Sequence, residues 1–121
     1  MSCQRLGDYL SHMGEASGLA LSYVEGMDAR AFLADRRTQQ AVIFNLMVIG
    51  EAASKISKEY PEFVAQHPEV PWKGMTGMRN RLAHGYFAID LEVVWSTVKE
   101  ALRPLSDRLD SLRTEVGGDA S

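Results

Sequence analysis

The chain of 121 residues suits one domain with one hydrophobic core and leaves little room for a second. Hydrophobic residues make up 45% and charged residues 24%, as in an ordinary soluble globular protein, and the formal net charge of -3 argues against broad, non-specific nucleic-acid binding. Cys3 is the only cysteine, which excludes an internal disulfide framework and fits a reducing, cytoplasmic setting.

Helical periodicity dominates, and strand-like alternation is hard to find. In the first segment Leu6, Leu10, Met13, Ser17, Ala20 and Val24 step by four and three, making one apolar stripe. The first twenty residues lack the charged start, apolar run and cleavage site of a signal peptide. Gly7, Gly14 and Gly18 each weaken this helix by roughly 1 kcal/mol relative to alanine, a cost offset if small residues let another helix approach. His12 and Glu15 read as a surface pair, and Gly26 as the stop.

A second helix is expected from near Asp35 to about Ser57. Its uncharged run, Thr38 to Gly50, is too short and too polar to span a membrane, but from Ala41 to Ala53 it is apolar nearly all round, as in the central helix of a bundle. Asn45 and Glu51 interrupt that surface. A buried carboxylate needs a cation or several donors, so Glu51 is expected to point at an arginine, a cluster of backbone amides or a second copy of the chain.

Pro61, Pro68 and Pro71 mark residues 60 to 71 as a connector with one short helical turn. A third long helix begins near Pro71 or Trp72 and ends at Gly85, read as a left-handed residue just past the helix end. Asp90 is a good N-cap for the last helix, with Glu92 in its first turn. That helix carries the clearest stripe, Leu91, Trp95, Val98, Leu102, Leu105, Leu109, Leu112 and Val116, and Pro104 is expected to kink it. Trp72 and Trp95 read as core anchors. Together these elements predict an all-α, up-down four-helix bundle with one or two extra short helices, as a single domain over 1–116 with a flexible tail at 117–121. The long stripes suggest a homodimer.

The densest chemistry lies in MRNRLAHGYFAID, residues 78–90. From Val70 to Ile89 there are three cations (Lys73, Arg79, Arg81), one histidine and no acid, so the remainder carries -6. Such a local patch on an acidic body favours a specific anion. At about 100° per residue, Arg79 and His84 do not share a helical face, whereas Asn80 and His84 do, so Asn80 is placed to orient the imidazole. A histidine titrating near neutrality can take or give a proton, and an arginine fork suits phosphate oxygens and the charge on pentavalent phosphorus. These groups suffice to cleave RNA, whose 2′-hydroxyl is the nucleophile, and the reaction needs no cofactor. No metal site is expected, because His12, His67 and His84 are scattered, there is no Glu-x-x-His pair, and one cysteine cannot make a zinc site. Arg81 is either a second phosphate contact or a partner for Glu51; Lys73 is either a solvated charge or an RNA contact. Tyr86 reads as an aromatic packed at a helix junction.

Arg79 followed after four residues by His84, Gly85 and Tyr86 resembles the R-x4-H-x-Y motif of the HepT-like family in the HEPN superfamily. The flanks agree: IGEAASKI (Ile49 to Ile56), PWKGMTGMRNRLAHGYFAID (Pro71 to Asp90) and VWSTVKEALRPL (Val94 to Leu105). The resemblance implies a HEPN-like, all-helical homodimer with paired Arg79 and His84 in a cleft between protomers. It implies a metal-independent endoribonuclease toxin that leaves 2′,3′-cyclic phosphate ends. His84 would be general base or acid, Arg79 the transition-state stabiliser and Asn80 the orienter. It also implies a partner, a minimal nucleotidyltransferase antitoxin that transfers AMP to Tyr86, adding bulk and negative charge where an RNA phosphate must bind. The alternative is a non-catalytic HEPN module that holds RNA or a nucleotidyltransferase without cutting.

Overall fold

The computed structural model describes residues 2–85 and 88–120, with side chains for 5–85 and 88–117. All regular structure among these residues is helical: α1 (Ser2–Tyr23), α2 (Ala29–Leu33), α3 (Arg36–Glu59), α4 (Pro61–Gln66), α5 (Trp72–His84), α6 (Leu91–Ser96), a π-helical stretch (Thr97–Leu102) and α7 (Arg103–Ala120). The largest helix interfaces join α1 to α3, α3 to α5 and α1 to α7. The chain is thus an all-α bundle in which α3 lies between α1 and α5.

The sequence signals that place the helices are local and readily explained. Asp35 Oδ1 accepts from the Thr38 amide at 3.1 Å and Oδ2 from the Thr38 hydroxyl at 2.8 Å, which satisfies free donors at the start of α3. Asp90 Oδ1 accepts from the amides of Glu92 and Val93 at 3.0 and 3.3 Å and starts α6. Gly26 turns the chain after α1 with φ at +79°, a conformation that side chains disfavour. The short α2, which the apolar pattern did not announce, is capped by Asp28 and buries Phe32 against Trp95, their ring centroids 5.2 Å apart.

The stripe of α1 is buried at every position from Leu6 to Val24, and so is the stripe of the last helix from Val98 to Val116. Polar groups inside are satisfied locally: the Ser17 hydroxyl donates to Met13 O, and the Asn45 amide to Ala41 O. Pro104 disturbs its helix as a π-helical stretch just upstream, which accommodates both the missing amide hydrogen and the ring's crowding of the preceding turn. The backbone is helical through Ala120, across the boundary expected at 116.

Two polar clips tie the helices together. Arg5 and Tyr9 on α1 both donate to Glu59 at the end of α3, at 3.0 and 2.9 Å, and hold its carboxyl below the usual range. Between α4 and α5, Glu69 accepts from Arg108 Nε on α7 at 2.8 Å and pairs with Arg108 Nη2 as well. The buried His67 ring lies between carboxylates, Nδ1 at 3.2 Å from Glu69 and Nε2 at 3.5 Å from Glu115. The His67 carbonyl accepts from the Trp72 indole at 3.0 Å, which ties this cluster to the first residue of α5.

Of the three α1 glycines, only Gly14 is closely covered, and by the flexible side chain of Arg113 rather than by a helix backbone. Gly7 is in ordinary contact with Val116, and Gly18 faces open space. The close helix approach occurs instead at Gly50 of α3, where a Cβ would lie 2.3 Å from Arg79 Cβ and 2.6 Å from Met75 O. That contact seats α5 and, with it, the candidate site.

Candidate active site

Helix α5 carries the basic segment, and its packing on α3 decides where each side chain goes. Arg79 lies over Gly50, and its Nη2 is 2.8 Å from Glu51 Oε1. Lys55, one turn along α3, stands 3.9 Å from the other Glu51 oxygen. Glu51 therefore finds an arginine, one of its three expected partners, and that arginine is Arg79 rather than Arg81. Arg79 Nη1 donates to Asn80 Oδ1 at 2.8 Å. The spacing alone pointed Asn80 at His84; the structure gives its amide oxygen to Arg79.

His84 is exposed in the last turn of α5. Gly85 ends the helix with φ at -102° and ψ at 33°, so the left-handed conformation expected there is absent. Its N–H still donates to Arg81 O at 2.7 Å, continuing the helical ladder by one residue. Glycine is needed for a different reason: a Cβ would come within 2.8 Å of Arg81 O. Tyr86 lies outside the described residues.

The cations open onto two surfaces. His84, Asn80 and Arg81 line a depression of about 670 Å³ together with Ile89, Asp90 and Val93 of the following segment. Arg79 and Ala83 line a second groove, of about 490 Å³, with Glu51, Lys55, His12 and Phe44. The angular separation of Arg79 and His84 read from the sequence thus persists in the fold. Lys73 is exposed in the first turn of α5, eleven residues from His84 and so roughly 16 Å along the axis. The structure does not bring it to the histidine.

Two features escaped the sequence reading. Gly50 directly precedes Glu51, and together they contact the stem and head of one arginine; only that adjacency hinted at it. The apolar run of α3 suggested burial all round, yet Phe44 is 65% exposed in the groove beside Arg79, with Met47 and Val48.

A family model described as ribonuclease HepT-like matches residues 13–112. A probable ribonuclease HepT of Thermococcus cleftensis is 40% identical over 106 residues, covering 88% of this chain and 94% of that protein. A putative RNase of Methanocaldococcus jannaschii is 41% identical over 78 residues, 64% of this chain and 62% of that one. Another, from Caldanaerobacter subterraneus subsp. tengcongensis, is 30% identical over 104 residues, 86% and 90% of the two chains. No solved structure matches the chain significantly. No helix among the described residues is long and apolar enough to cross a membrane.

Proposed function

The chain belongs to the HepT-like ribonuclease family, and on that premise we propose that it is a metal-independent endoribonuclease, the toxin of a toxin–antitoxin pair. The observation that carries this reading is the grouping on one helix of a fixed arginine and an exposed histidine, both reachable by solvent. His84 takes the proton of a ribose 2′-hydroxyl; the 2′-oxygen bonds to the adjacent phosphorus and the bond to the 5′-oxygen breaks. A second, protonated His84 supplies the proton that the leaving oxygen needs. Arg79 faces the extra negative charge on the equatorial phosphate oxygens. The products are a 2′,3′-cyclic phosphate and a 5′-hydroxyl.

A homodimer completes this site. Arg79 and His84 open onto different grooves of one protomer, so a strand crossing one copy meets half of the machinery at a time. The exposed Phe44 face beside Arg79 is an apolar surface that a second copy would cover. Arg81, in the same depression as His84, is a second phosphate contact, and Lys73 reaches the strand further along. Residues 1–116 form the working domain, the protein acts in the cytoplasm, and a minimal nucleotidyltransferase neutralises it by adding AMP to Tyr86.

The test is cleavage of a single-stranded RNA oligonucleotide in chelator by parent, His84→Ala and Arg79→Ala proteins. His84→Ala should lose cyclic-phosphate product by roughly 10²-fold or more while melting within a degree or two of the parent. RNA that is bound but left uncut by the parent would make the protein a binding module instead. Co-expression with a neighbouring nucleotidyltransferase should add the mass of AMP to the peptide containing Tyr86; an unmodified peptide from neutralised toxin would mean inhibition by binding alone.

A further inference from the structure

Glu51 sits among apolar residues of α3, yet its pairing with Arg79 does little for stability. The two side chains are 46% and 34% exposed, and pairs of that kind contribute about 0–1 kcal/mol. What the contact does is geometric. Gly50 seats the arginine stem, Glu51 holds one terminal nitrogen at 2.8 Å, and Asn80 receives the other at 2.8 Å. A guanidinium has about five N–H donors, so two contacts fix its plane and leave about three for a ligand. The Glu51 carboxylate also offsets the charge of Arg79, with Lys55 at its other oxygen.

We infer that Glu51 is a positioning residue for Arg79: it orients the guanidinium toward a phosphate and restrains its charge until one arrives. This inference rests on the ribonuclease reading above. Its consequence is a split that mere loss of folding would not produce. Without the carboxylate, Arg79 becomes a freer cation that binds RNA more tightly in the ground state and is less well aimed when charge develops on phosphorus. Binding then strengthens while turnover falls.

The experiment compares Glu51→Gln with the parent, using a fluorescein-labelled single-stranded RNA oligonucleotide. Glu51→Gln should lower kcat roughly tenfold or more and lower KM two- to fivefold, to within about a factor of two, with the melting temperature nearly unchanged. Binding is measured in the His84→Ala background, where RNA stays intact. There the log–log salt dependence of binding should steepen by about 0.7, the increment for one further cation engaging a single strand. Glu51→Asp, which keeps the charge, should restore the parental salt dependence. An unchanged kcat and salt dependence in Glu51→Gln would overturn the inference. So would parallel loss of turnover, binding and melting temperature, which would mean a structural role. His84→Ala separates the two levels: if it cleaves like the parent, the ribonuclease reading fails; if it is inactive while Glu51→Gln behaves as the parent, only the role of Glu51 fails.

Discussion

Gly50 of α3 and Arg79 of α5 stand so close that a Cβ on the glycine would lie 2.3 Å from the arginine's own Cβ, well inside van der Waals contact. The backbone oxygen of Met75 closes the same gap at 2.6 Å, so neither neighbour can yield by turning a flexible side chain. Gly50→Ala should therefore push α5 off α3, cost about 1–3 kcal/mol, and depress RNA cleavage by misplacing Arg79. Gly18 provides the contrast, because an added methyl meets nothing within 4 Å. Gly18→Ala should raise stability by about 0.5–1 kcal/mol through helix propensity. Thermal melts of both variants, with cleavage assays alongside, check the pair; a Gly50→Ala protein as stable and active as the parent would refute the packing argument.

Phe44 gives a prediction about assembly. If the face it shares with Met47 and Val48 is covered by a second copy, Phe44→Asp should shift the protein to monomer in sedimentation experiments at micromolar concentration. Cleavage should fall in step, since each protomer presents Arg79 and His84 on separate grooves. A Phe44→Asp protein that is monomeric yet fully active would show that one protomer suffices.

The acid limb of stability should report on the clip between the connector and α7. The Arg108 guanidinium, helped by a backbone amide and by His67, holds the Glu69 carboxyl down to about 2 from an ordinary 4.5. A depressed carboxylate stabilises the fold above its unfolded-state value, and that contribution is lost as pH falls through the folded-state value. Between pH 4.5 and 2 the parent should thus lose stability progressively from this group. Glu69→Gln should melt lower than the parent at neutral pH, with the gap narrowing across that window. Melting temperatures that stay parallel at every pH would show that the ion pair does not contribute.

Much of the fold was legible in local signals. Four- and three-residue spacing placed α1 and the last helix, an apolar run placed α3, and Asp35 and Asp90 marked two starts, because side-chain pattern and capping depend on residues within a turn or two. The short α2 was not legible, since five residues are too few to show a period; it is held by the burial of Phe32. That Arg79 and His84 face apart was also readable, because it needs only the pitch of a helix.

Periodicity and capping thus announced the long helices and the basic segment that ends at His84, but not α2. It took the packed fold to settle that Glu51 pairs with Arg79 rather than Arg81, that Gly50 is the contact point, and that Gly85 is required by the Arg81 carbonyl rather than by a left-handed turn. It also decided that a largely apolar helix leaves Phe44 uncovered. The reason is common to these outcomes except that at Gly85: they depend on where α3 and α5 cross and what surrounds them, and no spacing within one helix specifies that. At Gly85 the relation is local, but it is a matter of ångström-level backbone geometry that residue type does not reveal.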